Sequence, residues 1–385
     1  MPENWQRLTW GDVGALRYGK ALRGYKNTAG ATRVFGTNGP IGWTDAQPLA
    51  TGPRPIVGRK GAYRGVHLAS GPFWVIDTAY WLEPHDNLDP VFAYYAILSV
   101  DINGMDSGSA LPSLTRDHFY QVSLLLPPTD EQERIARVLR TFDDLIEANI
   151  STVRALENLG RTVVSTLLDT EESRLRVTTL SDACGVIESG RRPKGGVKGI
   201  NSGVPSLGAE SVNGLTDFNF SKTKYVPEEF ATSMKRGVLT DLDVLVYKDG
   251  GKPGEFFPDV SIVGNGYPFD HMVINEHVFR VRAAEPLSQG YLYFWLSTDE
   301  MMRQMKEIGS RTAAIPGMNS TNFGQLPIPI PSTDWRMTNL RALDQLVEGA
   351  LSLLAECRDL ARRRDELLPL LMSGRVRVRD LEAVA

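Results

Sequence analysis

Few residues in this chain have the types and spacing that chemistry needs. His271 and His277 are six positions apart on a predicted strand and share a face, but no carboxylate or cysteine stands at ligand spacing from them. In DLDVLVYK, the set Asp241, Asp243 and Lys248 has the composition of a nuclease centre, although the same letters spell a turn followed by a buried strand, the preferred reading. DGGKPGEF contains Gly-Lys without the upstream Gly or the following Ser/Thr of a phosphate-binding loop. Neither a GxSxG elbow nor an HExxH pair occurs, no GxGxxG follows a strand, and there is no Asn/Asp-Pro-Pro-aromatic motif of the kind that methylates bases. Cys184 and Cys357 lack CxxC spacing, which signals neither a disulfide framework nor zinc and predicts two core residues. The expectation is a protein with no catalytic centre and no metal.

What the chain has instead is segregated charge. Its net charge of −4 argues against indiscriminate coating of nucleic acid. Between positions 13 and 70, however, nine Lys/Arg face a single acid, Asp45, whereas positions 71 to 110 hold six acids and no base. Such segregation predicts one face made for a polyanion. A hydrophobic content of 42% fits a globular protein, and 385 residues suffice for two or three cores. The start MPENWQR is no signal sequence, and the longest apolar runs, such as VFAYYAILSV, are too short to span a bilayer, so a cytoplasmic protein with no membrane partner is expected.

The elements that would position these charges come twice. LPSLTRDHFYQVSLLLPPTDEQERIARVLRTF begins at Leu111, and IPGMNSTNFGQLPIPIPSTDWRMTNLRALDQL follows at an offset of 204 without a gap. Pro112, Phe119, Gln121, Pro127 and Asp130 match Pro316, Phe323, Gln325, Pro331 and Asp334, and Leu111, Leu114, Val122, Leu124 and Leu126 match apolar residues. The alternation at Val122, Leu124 and Leu126 predicts a short strand stopped by Pro127 and Pro128; prolines 327, 329 and 331 make its second copy an edge.

After each strand a long helix is predicted, with Thr129 or Asp130 and then Asp334 as N-caps. Ile135, Val138, Phe142, Leu145, Asn149, Thr152, Leu156, Leu159, Val163 and Thr166 step by threes and fours in a heptad seam. At 1.5 Å per residue the helix would run about 58 Å. The second seam runs from Leu343 through Val347, Ala350, Leu354 and Cys357 to Leu371, with a kink or break expected at Pro369. Two such helices bury their seams most simply against each other as an antiparallel pair, with a globular α/β unit at each end. Asn149 and Thr152 leave the middle of the seam polar, to fix register or meet a partner.

The echo continues outside the helices. RLRV at 174 to 177 precedes TTLSDACGVIESGRRPKG, while RVRV at 375 to 378 precedes only a short tail; its continuation resembles the N-terminal RLTWGDVGALRYGKALRG. The repeat is circular in character, and the tail is expected to pack near the N-terminus. Fainter matches join residues 55–65 to 244–254 and 73–82 to 271–280. The expected divisions are 1–129 and 170–333 for two globular domains, 130–169 and 334–373 for the helices, and 374–385 for the tail.

LPPTDEQERIARVLRTFDDLIE resembles the central conserved region of the specificity subunits of type I restriction-modification systems. LPSLTRDHFYQVSLLLPP, SDACGVIESGRRPKG and RRRDELLPLLMSGRVRV resemble other recurrent segments of that family, nearly throughout the chain. Trp335, Arg336 and Thr338 depart from the Glu131, Gln132 and Arg134 of the first copy. The resemblance implies two target-recognition domains reading a bipartite, asymmetric double-stranded DNA site, with paired helices setting the gap. It also implies two docked methyltransferase subunits that bind S-adenosylmethionine, and motor-nuclease subunits that use ATP and magnesium, with no cofactor on this chain.

Arg and Lys read guanine and neutralise phosphate, so the expected DNA-facing residues are Lys20, Arg23, Lys26, Arg33, Arg59, Lys60 and Arg64 in the first unit. Tyr25, Asn38 and Tyr63 join them as base or sugar contacts. In the second unit they are Arg191, Arg192, Lys194, Lys198, Lys222, Lys224, Lys248 and Lys252. Leu139, Ile146, Ile150 and Val153, flanking the first seam, are expected as exposed partner-docking positions, with a wider helix-helix core as the alternative. The rival functions are an autonomous nuclease around Asp243 and Lys248, and a coiled-coil scaffold that does not touch DNA.

Overall fold

In the computed structural model, residues 4–25, 30–105, 112–170, 175–252, 254–311 and 316–378 are described; Lys26, Leu111 and Ile315 lie outside them. The chain divides into two compact units, Met1–Asp144 with Leu360–Ala385, and Leu145–Asp359.

Unit 1 opens with β1 (Gln6–Thr9), the single turn α1 (Trp10–Val13) and β2 (Gly14–Tyr18). Then come β3 (Thr32–Gly36), β4 (Gly39–Thr44), β5 (Ala50–Thr51), β6 (Arg54–Gly58), β7 (Val66–Ala69), β8 (Pro72–Val75) and β9 (Ala79–Pro84). It continues with α2 (Pro90–Leu98), α3 (Arg116–Tyr120), β10 (Ser123–Leu126) and the start of α4 (Thr129–Thr170). One sheet has the order β2-β9-β6-β7, a second β4-β3-β8-β5, and β1 pairs with β10. Trp10, Val57, Tyr80, Leu82, Phe92, Tyr95 and Phe119 fill the core beneath the first sheet. The Asp89 carboxylate caps α2 by accepting from the Val91 and Phe92 amides, and Pro90 occupies the first turn where no amide is needed.

Unit 2 repeats the plan. Its elements are β11 (Arg176–Thr179), α5 (Leu180–Ala183), β12 (Cys184–Ser189), β13 (Val204–Leu207), β14 (Lys224–Val226), α6 (Glu228–Thr232), β15 (Val244–Tyr247) and β16 (Val260–Ile262). There follow β17 (Val273–Ile274), β18 (Val278–Ala283), α7 (Gln289–Leu296), α8 (Asp299–Ser310), α9 (Ser320–Gly324), β19 (Pro327–Ile330) and α10 (Thr333–Met372). Sheet orders β12-β18-β15-β16 and β14-β13-β17 reproduce those of unit 1 less β5, and β11 pairs with β19 as β1 does with β10. Both second sheets contain one parallel pair, β3 with β8 and β13 with β17. Individual backbone bonds repeat as well. The Gly61 amide donates to Pro112 O and the Leu114 amide to Arg59 O; likewise Gly250 donates to Pro316 O and Met318 to Lys248 O.

α4 and α10 are continuous over 42 and 40 residues, and their contacts run antiparallel. Within unit 2, Cys357 Sγ meets Ile146 O, Asn149 Nδ2 donates to Glu356 Oε2 at 3.2 Å, and Leu156 lies beside Gly349. Within unit 1, Arg364 pairs with Asp143, while Leu139, Leu368 and Leu371 share one core. Asn149 thus meets a glutamate across the seam. Pro369 sits inside the last turn of α10, which continues to Met372. The caps fall earlier than expected: α4 begins at Thr129, with Pro128 O accepting from Glu131 and Gln132, and Ser332 Oγ accepts from the Trp335 amide at α10. Pro128 replaces a side-chain cap with its carbonyl. The RVRV tail packs in unit 1, where Val378 is buried and Arg377 stacks on Trp5.

The two cysteines are free; Cys357 is buried and Cys184 half-buried, its thiol pushed up to about 12 by burial. Among the described residues no helix is long and apolar enough to cross a membrane.

Candidate nucleic-acid interface

In unit 1 the basic residues gather where β2 ends, β6 ends and β9 begins. Gly19 leaves β2 so close to the next strand that a Cβ would lie 2.0 Å from Ile76 O, so only glycine allows the chain to turn there. Lys20 follows, its amide donating to Val75 O and its carbonyl accepting from the Trp74 indole. Alongside, the Arg59 and Lys60 amides both donate to Thr78 O. The Arg59 guanidinium lies 5.0 Å from the Tyr18 ring centre and 5.6 Å from that of Tyr80, and Arg116 approaches Tyr18 to 4.7 Å. Burial pushes the Tyr80 hydroxyl up to about 12. Lys60 Nζ pairs with Asp77 at 2.8 Å and holds that carboxyl below its usual range. The result is a cationic platform on aromatic rings, a surface that suits phosphates and sugars.

Placement of the other unit 1 candidates varies. Lys20 and Arg23 are exposed, and Arg33 lies over the Trp43 ring at 4.5 Å. Tyr63 is 69% exposed, Asn38 is exposed and Tyr25 half-buried. Arg64 is a correction. Only 2% exposed, it donates to the carbonyls of Gly61, Ile102 and Asn103, so it braces a loop and is not available to DNA.

Unit 2 places its cations by the same device. A Cβ on Gly190 would lie 1.7 Å from Ile274 O, and Arg191 follows. Its guanidinium donates to Ser233 O and Oγ and lies 4.9 Å from the Phe230 ring. Lys248 occupies the backbone position of Arg59 and stacks on Phe279 at 5.3 Å, as Arg59 does on Tyr80. Three of the expected cations are engaged by carboxylates: Arg192 by Glu276, Lys224 by Glu210 and Lys248 by Asp249. Lys194, Lys198, Lys222 and Lys252 are exposed. A cavity of about 360 Å³ opens beside β12, lined by Ser189, Gly190, Arg191, Ser233, Lys235 and Arg236.

The carboxylate-lysine set is structural. Asp243 is fully buried, and its oxygens accept from Arg280 Nε and Arg282 Nη1 at 2.6 Å each and from the Thr240 amide at 2.7 Å. Lys248 points to Asp249 and Phe279, so the three residues do not converge. His277 contacts Asp249, and among the described residues no group of three or more His, Cys, Asp or Glu is placed to hold a metal ion.

The positions expected on an outer helix face need correction too. Leu139 and Val153 are fully buried, one in each unit's core, because the apolar stripe of α4 is wider than its heptad seam. Ile146 and Ile150 are half-buried. Sequence reasoning missed Tyr18, Arg116, Lys235 and Arg236. Tyr18 directly precedes the Gly-Lys turn, and Lys235 and Arg236 form a basic pair before Gly237, which are the only local signals they carry.

Residues 2–155 match the family model for the type I restriction modification DNA specificity domain. The chain is similar to the type I restriction enzyme MjaVIII specificity subunit of Methanocaldococcus jannaschii, 19% identical over 320 residues that cover 76% of this chain and 72% of that one. It is also similar to the HindI specificity subunit of Haemophilus influenzae, 21% identical over 378 residues covering 79% and 81%. The S subunit of a type I system from M. genitalium has the same fold, with a TM-score of 0.58 at 18% identity over 96% of both chains. The twice-repeated heads and the paired helices thus stand in a chain whose residues 2–155 match the DNA specificity domain and which is similar, over about three quarters of its length, to type I specificity subunits.

Proposed function

We propose that the chain directs a type I complex to a bipartite, asymmetric DNA site, each unit reading one half. The observation that carries this reading is the repetition of one scaffold with different cationic loops. Lys20, Arg23, Arg33, Arg59 and Lys60 contact DNA from unit 1. Arg191, Arg192, Lys194, Lys198, Lys222, Lys224, Lys248 and Lys252 do so from unit 2. Those now paired with carboxylates exchange that partner for phosphate or guanine. The continuous α4 and α10 fix the gap between half-sites, each long enough to exceed the roughly 34 Å of one DNA turn.

Methylation and cleavage belong to partners. Two methyltransferase subunits supply S-adenosylmethionine chemistry, and motor-nuclease subunits bring ATP and magnesium, all acting in the cytoplasm. Ile146 and Ile150, half-buried on α4, contribute to the docking face. Co-purification with the methyltransferase, followed by mapping of N6-methyladenine in the DNA that the complex modifies, tests the reading. One motif with two unlike halves and a fixed gap is expected; no association, or methylation without a two-part motif, overturns it.

A further inference from the structure

Unit 2 has a cleft beside the end of β12. α6 and the loop after it stand between β14 and β15, where unit 1 passes from β4 to β6 through the two-residue β5. The loop brings Lys235 and Arg236 against Gly190 and Arg191. Two glycines make this approach possible. Gly237 has φ +74°, and a Cβ there would lie 2.7 Å from Gly190 Cα. Its amide donates to Glu188 Oε1 at 2.9 Å and its carbonyl accepts from the Ile274 amide, so the loop is tied down at its base.

The charges around the cleft do not cancel. Glu188, the acid beneath it, also accepts from Arg280 at 3.0 Å. Arg191 is fixed by Ser233 and Phe230, while Lys235 and Arg236 are exposed and form no ion pair among the described residues. Three cations therefore line a cavity of about 360 Å³ together with Ser189, Gly190 and Ser233.

We infer that this cleft is a seat for a backbone phosphate of the DNA, held by Lys235, Arg236 and the preorganised Arg191. The inference rests on the DNA-binding reading above and adds that these side chains fix register on the duplex and do not read bases. Three cations on one concave patch match a phosphate's charge and its several acceptor oxygens. A base edge is read by one or two donors in a fixed bidentate geometry, and Arg191 already spends Nη2 of its fork on Ser233 O and Oγ.

The test uses the full chain assembled with its methyltransferase and compares the wild type with K235Q/R236Q and with K235R/R236K. Binding is read by fluorescence anisotropy on a duplex carrying the mapped motif and on a scrambled duplex, over a range of salt. Each phosphate that is no longer neutralised should flatten the slope of log K against log salt by about 1. K235Q/R236Q is expected to flatten it by about 1 to 2 and to weaken both duplexes by the same factor, with K235R/R236K close to wild type. An unchanged slope overturns the inference, and so does weakening confined to the motif duplex, which would make these residues base readers. A wild-type complex that does not prefer the motif duplex sinks the DNA-recognition reading and the phosphate seat together.

Discussion

Units 1 and 2 share a scaffold to the level of single backbone hydrogen bonds and differ in how they hold charge. At the β2–β9 edge of unit 1, Arg17 and Glu83 pair on the surface, with 55% and 43% of their side chains exposed. Unit 2 has Arg282 at the corresponding edge and draws it, with Arg280, onto the fully buried Asp243. Unit 1 lays Arg59 and Arg116 on tyrosine rings and pairs one of its expected cations, Lys60, with a carboxylate, whereas unit 2 sets Arg191 and Lys248 on phenylalanines and engages Arg192, Lys224 and Lys248 with carboxylates. Backbone pairing and core apolar residues therefore define the head, and charged side chains vary freely on it. That division is what a protein needs to change its target without changing its fold.

The largest effect expected from breaking this comparison is at Asp243. Asp243→Ala leaves two arginines facing each other beside a buried strand and should cost unit 2 about 3–5 kcal/mol, read by urea denaturation followed through a probe in that unit. A loss below 1 kcal/mol would mean that the network is not an energetic keystone. Next are the tyrosine clamps on α4. Tyr293 donates to the buried Glu157 at 2.6 Å, and Tyr95 to the more exposed Asp143 at 2.5 Å. Tyr293→Phe should cost about 1–3 kcal/mol, because the carboxylate is deprived of its hydroxyl partner in a dry site. Tyr95→Phe should cost less, since Asp143 is more exposed than Glu157 and pairs more closely with Arg364 than Glu157 does with Arg161, 3.6 Å away. Equal costs would deny the difference in burial.

A smaller effect tracks pH and belongs to unit 1 alone. Burial holds His67 below its usual value of 6.5, and its Nε2 is buried without a hydrogen-bond partner. The unfolded chain then binds the proton more readily than the folded one. Stability is full above about 6.5 and falls as pH drops from there toward the lowered folded value. His67→Gln should remove that part of the acid sensitivity of unit 1, measured as melting temperature between pH 5 and 8. The smallest effect is at the surface pair: Arg17→Ala should change stability by less than about 1 kcal/mol, and by less still in high salt.

Much of this architecture was legible in the sequence because it repeats. The 204-residue offset, the heptad stepping of α4 and α10 and the RVRV echo are patterns of type and spacing, and backbone pairing follows such patterns closely. Side-chain fate was less legible. Arg64 reads as one more cation in a basic run, yet the loop at Ile102 and Asn103 folds over it from 38 and 39 residues away in the chain. Leu139 and Val153 look like flanking positions because a heptad rule marks only the narrow seam, while the heads pack against a broader stripe of the helix. Lys235 and Arg236 carried no signal beyond charge, since their partnership with Arg191 depends on two glycines meeting.

The proposal that two unlike half-sites are read across a gap set by the helices is tested most directly by removing one heptad in register from α4 and α10 together and remapping N6-methyladenine. Seven residues shorten a helix by about 10 Å, close to the rise of three base pairs. Methylation at the original gap is expected to disappear, with any surviving motif keeping both half-sites at a changed separation. Methylation of the same motif at the same gap would contradict it.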